Sequence, residues 1–327
     1  MKIALVCNAQ LPAKTYGGTE RVVWDLANAL AALGHRVVLA AAKGTVAPFA
    51  QVVELNPDRP VADILPGDVD VVHFNNIPDN RNLTKPYIVT VHGNNAPGFI
   101  LDKNSVFVSS DHAARYGSRE FVYNGLNWDN YPVADIFQTR KRLHFLGKGA
   151  WKVKNMKGAI LTANRAHTPI DIMGATRISF KMGFKFCLDP NAHFHGMVSN
   201  EEKGRIIPAS RGLVFPVVWS EPFGLAITES MWYGAPLYGT PYGSLPELVG
   251  ENGFLSNSAS ELAAAIREGA ALNPAKCREY AGDIFNSMAM AKGYVEKYER
   301  VLNGESLNPI SPQLTPQAAS QKFIWND

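Results

Sequence analysis

Apolar residues run together at Ile3-Ala4-Leu5-Val6, the unbroken pattern of a strand buried on both faces, and polar Asn8 and Gln10 follow at once. A polar loop leads to Gly18. Val22, Val23, Leu26, Ala27, Leu30 and Leu33 then recur at helical spacing. Thr19 is placed to cap that helix and Gly34 to stop it, after which His35 to Ala41 reads as a second strand. This is a βαβ unit, and its first loop lies at a strand's carboxyl end, where open α/β sheets bind ligands. Strand-like runs at Val69–Phe74, Tyr87–His92, Ser105–Ser110 and Glu120–Tyr123 complete a first Rossmann-like domain over residues 1–139.

Basic Arg140-Lys141-Arg142 leads into Leu143-His144-Phe145-Leu146-Gly147, which reads as the first strand of a second α/β unit, residues 140–302. Here the pattern predicts a helix from about Met156 to His167 and strands at Ala192–Gly196, Gly212–Pro216 and Ala235–Gly239. Helices are expected over 259–268 and 275–302, the last with room to pack back on the first domain. Segment 170–190 fits strand and irregular structure equally. Pro309, Pro312 and Pro316 among Ser and Gln predict a loosely ordered tail over 303–327.

Composition narrows the class. A chain of 327 residues at 46% hydrophobic supports two domains with sizeable cores. Its net charge of +3 is too small a surplus to argue for nucleic acid, though it leaves room for a basic anion cleft or peripheral contact with acidic lipid. Cys7, Cys187 and Cys277 are far apart and without CxxC spacing, which favours a reducing cytoplasm over a disulfide framework. No run approaches the roughly 18 apolar residues of a membrane span, so the expected place is the cytoplasm or the inner face of its membrane.

The densest chemistry lies in Ser220-Glu221-Pro222-Phe223-Gly224-Leu225, continuing through Glu229 to Met231. Two carboxylates bracket a Pro-Phe-Gly turn that opens into an apolar helix. Pro222 suits a helix start, Gly224 lets amides approach a ligand, and free amides at the positive end of a helix dipole bind phosphate. Carboxylates repel phosphate, so Glu221 and Glu229 should face hydroxyls. A sugar joined to a diphosphate supplies both halves.

With these residues the chain resembles the nucleotide-sugar-dependent glycosyltransferases of the GT-B fold, specifically the large retaining family 4 with its Glu-x7-Glu motif. The resemblance rests on Gly17-Gly18 with its helix, Thr90-Val91-His92-Gly93, Tyr123-Asn124-Gly125 and Phe145-Leu146-Gly147-Lys148. Phe194-His195-Gly196-Met197-Val198 with Glu201 and Lys203, and Glu221 to Glu229 continuing to Glu247-Leu248-Val249, are its most specific blocks. It implies two Rossmann-like domains facing across a cleft, with the acceptor mainly on the first, the donor on the second, and no metal or cofactor. Glu221 would then hold sugar hydroxyls, and the backbone of Phe223, Gly224 and Leu225 would lie near the sugar and phosphate. Glu229 would take the ribose, main chain at Met197 and Val198 the base, Gly17 and Gly18 the diphosphate, and His92, as a donor, the sugar near the reacting carbon. A cation pair neutralises the leaving diphosphate in the family. Lys148 stands where the family has arginine, keeping charge but losing the planar fork. The family's lysine position, five residues on, holds Val153. Anchoring on Ala159-Ile160 and Ala163 assigns Lys154, with Lys157 as second candidate.

The expected activity is retaining, metal-independent transfer of a hexose from a nucleoside diphosphate, UDP favoured over GDP. The acceptor would be a saccharide or lipid-linked saccharide in cell-envelope polysaccharide or lipopolysaccharide assembly. A glycosidase pair is disfavoured, since eight helical residues separate Cα atoms by roughly 12 Å, beyond the carboxyl spacing such enzymes use. Asp68-Val69-Asp70 has the metal spacing of another glycosyltransferase fold but follows Pro66-Gly67, as a turn entering a strand does. His193 and His195 share a strand face without a third ligand nearby. The rivals left open are a sugar-nucleotide epimerase, which also uses paired Rossmann domains, and a non-catalytic sugar-nucleotide-binding protein.

Overall fold

The computed structural model describes residues 1–13, 17–79, 81–179, 185–269 and 273–326. Part of the loop before Gly18 and residues 180–184 of the ambiguous 170–190 segment lie outside them. In chain order the first elements are β1 (Lys2–Cys7), α1 (Gly18–Ala32), β2 (Arg36–Ala41), β3 (Gln51–Glu54), α2 (Val61–Ile64), β4 (Val71–Phe74), β5 (Tyr87–Val91), β6 (Ser105–Phe107) and α3 (Ser110–Arg115). Then come β7 (Arg142–Leu146), α4 (Met156–Arg165), β8 (Ile170–Met173), a short antiparallel pair β9 (Ile178–Ser179) and β10 (Lys185–Phe186), and β11 (Ala192–Gly196). They are followed by α5 (Asn200–Ile206), β12 (Ser210–Phe215), α6 (Leu225–Trp232), β13 (Leu237–Gly239), α7 (Leu245–Val249), β14 (Gly253–Leu255), α8 (Ala259–Glu268), α9 (Pro274–Ile284), α10 (Ser287–Leu302) and α11 (Pro316–Ala319).

The chain divides into two units, residues 1–127 with 284–321 and residues 128–283 with 322–327, so the division falls at Trp128, ahead of Thr139. Each holds a six-stranded parallel sheet, in the orders β3-β2-β1-β4-β5-β6 and β11-β8-β7-β12-β13-β14. These are the two Rossmann-like domains expected. Strand β1 is buried along its length because β2 and β4 flank it in parallel register, which is why its sequence is an unbroken apolar run. Helix α10 belongs to the first unit, where a polar network ties it to the sheet. His73 Nδ1 meets Tyr298 Oη at 2.8 Å, its Nε2 meets Thr90 Oγ1 at 2.6 Å, and Thr90 Oγ1 meets Tyr294 Oη at 2.8 Å. In the second unit His144 sits between Ser210 Oγ at 2.7 Å and Ser230 Oγ at 2.8 Å, joining β7, β12 and α6.

Several boundaries differ from the pattern for local reasons. Helix α1 begins at Gly18 with Gly17 as its N-cap and no side-chain cap, so Thr19 lies inside the helix. Residues 105–110 split, because Ser109 accepts from His112 N and starts α3. Glu120–Tyr123 is no strand; only Phe121 bridges to β6. Residues 275–302 are two helices, since Phe285 is buried at the break and the Asn286 side chain caps α10 by accepting from Ala289 N. The proline-rich tail is ordered. Asn308 is buried, donating to Lys103 O at 2.8 Å and Ser105 O at 2.9 Å, and Leu101 N donates to Pro312 O at 2.8 Å. In the second unit Ile324 N donates to Tyr242 Oη at 2.8 Å and Ala259 N to Asn326 O at 3.0 Å.

His73 and His144 are both pushed down to about 3, by burial first and by a neighbouring His92 or Arg140 second, so each is neutral in the folded protein. An unfolded chain takes up their protons below its ordinary histidine pKa of about 6.5. The stability they lend is therefore full above that value and lost as pH falls toward about 3, with a slope of about 1.4 kcal/mol per pH unit for each group. In urea unfolding across about pH 6 to pH 4, His144→Gln should remove one such slope. An unchanged slope would mean the ring titrates normally in the fold.

Candidate active site

The second sheet is laid down outward from β7: β8 and β11 go to one side, β12, β13 and β14 to the other. Strand order therefore reverses between β7 and β12, and the loops leaving their carboxyl ends form the crevice in which such sheets bind ligands. These loops are residues 147–155 and 216–224. They are joined by Val218 N donating to Val153 O at 2.8 Å.

The first loop ends in a single 3-10 turn, Lys152–Lys154, closed by Asn155 in the left-handed region at φ 50°. Asparagine tolerates that conformation, and its side chain caps α4 by accepting from Gly158 N at 3.1 Å. Lys154 is thereby fixed one residue before a capped helix. Its Nζ lies 2.5 Å from Glu221 Oε2, with the two side chains 13% and 7% exposed. The same oxygen accepts from Trp219 Nε1 at 2.7 Å, and the ammonium lies 5.1 Å from the ring centroids of both Phe215 and Trp219. Cation, carboxylate and two aromatic faces thus make one cluster, with Glu221 and Phe215 buried and Lys154 and Trp219 half-buried.

Glu221 is fixed from behind by the loop after β13. Ser244 N donates to Glu221 O at 2.9 Å, and Ser244 Oγ donates to Phe223 O at 2.8 Å. Gly243 sits at φ +60°, and a Cβ there would fall 2.3 Å from Glu221 N, so no larger residue fits. Helix α6 opens at Leu225, with Gly224 rather than Pro222 as its cap, at φ 92° and without a side-chain cap. Its first-turn amides carry the positive end of the dipole beside Glu221. Phe223 is buried, while Leu225 is half-buried.

Glu229, one turn on, is buried at 1% exposure. Its Oε1 accepts from Lys203 Nζ at 2.7 Å and Tyr131 Oη at 2.8 Å. Lys203 is held by α5, whose capping box pairs Ser199 with Glu202. Lys148 is exposed, its Nζ 5.2 Å from the Trp151 ring centroid, and Lys157 is exposed on α4. Met197 is exposed and Val198 half-buried after β11. The second unit therefore brings Lys154, Glu221 and the turn 223–225 together. Trp219, Tyr131, Gly243 and Ser244 complete the surroundings and were not singled out from sequence. Trp219 immediately before Ser220-Glu221 was the one local clue; the others arrive through distant loops.

In the first unit Gly17 and Gly18 open α1, and Gly17 O accepts from Arg21 N at 3.3 Å. His92 directly follows β5, and its Nε2 donates to Asn75 Oδ1 at 3.0 Å. Burial pushes its pKa down to about 4. With Nε2–H on Asn75 Oδ1, the neutral ring has its acceptor at Nδ1. Asp68 pairs with Lys2 at 2.5 Å and Asp70 accepts from Lys2 N at 2.6 Å, in the turn entering β4. Among the described residues no three His, Cys, Asp or Glu side chains gather as a candidate metal cluster.

Residues 139–270, which contain this crevice, match the family model described as glycosyl transferases group 1. The second unit carries a glycosyltransferase domain. The chain is accordingly an enzyme of glycosyl transfer, with GT-B architecture. Its fold is shared by AviGT4, a glycosyltransferase involved in avilamycin A biosynthesis, at TM-score 0.78 and 22% identity over 93% of this chain and 98% of that one. Sucrose-phosphate synthase from Thermosynechococcus elongatus matches at TM-score 0.68 and 19% identity, covering 93% and 100%. Anabaena HepE, solved with UDP and glucose, matches at TM-score 0.66 and 18% identity, covering 91% and 99%. No curated protein sequence matches. No helix among the described residues is long and apolar enough to cross a membrane.

Removing one partner from a buried ion pair leaves a charge without compensation and costs about 3–5 kcal/mol. Lys154→Met should lower stability by about that much, and the double variant Lys154→Met/Glu221→Gln should recover most of it. Urea unfolding followed by tryptophan fluorescence measures both. A single variant as stable as wild type would show that the pair is not the electrostatic element described.

Proposed function

We propose that this enzyme moves a hexose from a nucleoside diphosphate to an acceptor hydroxyl, with retention of anomeric configuration and without a metal. The reading is supported above all by the Lys154–Glu221 pair, which stands at the sheet's switch point beside the uncapped start of α6. As the glycosidic bond breaks, negative charge grows on the departing diphosphate. A fixed cation and helix amides lower the energy of that state more than of the bound ground state. Lysine has three N–H donors, so Lys154 can keep one on Glu221 and turn others to phosphate oxygens.

Both hydrogen bonds to the Glu221 carboxylate fall on Oε2, and Oε1 is the oxygen we assign to sugar hydroxyls. Glu229 is assigned to the ribose, with Lys203 and Tyr131 holding its carboxylate through Oε1. Main chain at Met197 and Val198 is assigned to the base. UDP is favoured over GDP, a choice supported by the UDP that the HepE structure contains. Retention, the roles of Gly17, Gly18 and Lys148, a cytoplasmic location and an envelope polysaccharide or lipopolysaccharide pathway rest on the resemblance. Retention without a side-chain nucleophile has the departing phosphate assist the incoming hydroxyl on the same face.

Glu221→Gln keeps the shape of the site and removes the charge. It should lower kcat/KM for release of UDP from a UDP-hexose by roughly 10²–10³, in a protein that still unfolds cooperatively. Wild-type turnover in excess EDTA should be unchanged. Intact turnover in the glutamine variant would refute the assignment, and loss in EDTA restored by manganese would refute metal independence.

A further inference from the structure

The loop after β13 that fixes Glu221 is itself gripped by the last residues of the chain. Residues 240–244 are bonded to the 216–224 loop along its length. Thr240 Oγ1 donates to Val217 O at 2.7 Å, Ser244 N to Glu221 O at 2.9 Å and Ser244 Oγ to Phe223 O at 2.8 Å. Gly243 packs so closely that a Cβ there would fall 2.3 Å from Glu221 N. Close packing transmits displacement, so a shift of this loop is a shift of Glu221.

Tyr242, in the middle of the loop, is buried and turns toward residues 323 and 324. Its Oη accepts from Ile324 N at 2.8 Å and donates to Ile324 O at 2.8 Å, and its ring meets Phe323 edge-on with centroids 5.1 Å apart. A buried phenol needs its hydroxyl satisfied, and here the backbone of one residue, 82 positions away, meets both its donor and its acceptor. Ile324 itself stands 57% exposed, so main chain and Phe323 make the contact rather than an apolar plug.

The segment is anchored a second time two residues on. Asn326 N donates to Asn257 O at 2.8 Å, and Asn326 O accepts at 3.0 Å from Ala259 N, one of the first-turn amides that α8 leaves without a partner inside the helix. Residues 322–327 belong to the second unit although 284–321 belong to the first, so the chain re-enters the second unit to make these contacts. We infer that residues 322–326 clamp the 240–244 loop and that Tyr242 is a positioning residue for Glu221. With the clamp in place the carboxylate is held against Lys154; with it open the turn around Glu221 loosens. The consequence for turnover rests on the transfer reading. The clamp does not, and is measured without turnover.

The test is hydrogen–deuterium exchange of the full chain, read on peptides spanning 216–227 and 241–248, where Val218 N, Ile227 N and Ser244 N are bonded at 2.8, 2.9 and 2.9 Å. Tyr242→Phe keeps the ring on Phe323 and deletes both bonds to Ile324, whereas Phe323→Ala deletes the ring contact and keeps the bonds. Each should speed exchange in these peptides by roughly three- to tenfold while β1 and β7 exchange as in wild type. In Tyr242→Phe, kcat with a UDP-hexose should fall roughly fivefold and KM should hold within about twofold, since a loosened carboxylate spends less time in the productive geometry. Exchange unmoved by both variants, or raised equally in β1 and β7, overturns the clamp. Faster local exchange with kcat unchanged overturns the positioning role where Glu221→Gln abolishes turnover. Turnover that survives Glu221→Gln counts instead against the transfer reading, and exchange then decides the clamp.

Discussion

The contact between Lys154 and Glu221 takes a cation and a carboxylate out of water, and desolvating two charges is tolerated only where geometry fixes both. Here the surrounding chain does so from three directions. Asn155 turns the backbone so that Lys154 ends a 3-10 turn, Trp219 shares the carboxylate oxygen, and the Gly243–Ser244 loop holds the Glu221 backbone. Loosening any of these would leave a charge adrift beside α6. The parallel sheet supplies the place, because strand order reverses between the two strands that send out the loops.

This arrangement makes the two glutamates unequal. Glu221 ends up between the lysine and the uncapped helix start, with aromatic rings limiting water. Glu229 is buried deeper, with Lys203 and Tyr131 on one oxygen, so part of its carboxylate serves the packing of α6 against α5 and the 128–130 turn. An eight-residue spacing alone carries no sign of that difference, which arises from which elements pack over each residue.

Much of the framework was legible because the chain advertises parallel sheets plainly. β1, β4, β5, β7 and β11 are short apolar or alternating runs with polar ends, and a strand buried on both faces needs nothing more. What the sequence left unread depends on partners far along the chain. Asn286 is one polar residue in a helical pattern until its side chain caps α10, and the proline-rich tail reads as loose until Asn308 satisfies backbone at 103 and 105. Local motif and register singled out Glu221, Gly224 and Lys154, which the structure places in one crevice. Tyr131, Gly243 and Ser244 were not, since each matters only through a contact made from another loop. His92 was singled out from its motif, whereas the Asn75 contact that orients its ring comes from the end of a neighbouring strand.

Lys154 is proposed to meet the phosphate of a nucleoside diphosphate, and comparing UDP with UMP isolates the terminal phosphate. Calorimetry on wild-type chain should show UDP bound more tightly than UMP. In folded Lys154→Met most of that preference, at least roughly tenfold, should disappear while UMP affinity holds. A variant that keeps the full preference for the diphosphate would contradict the account.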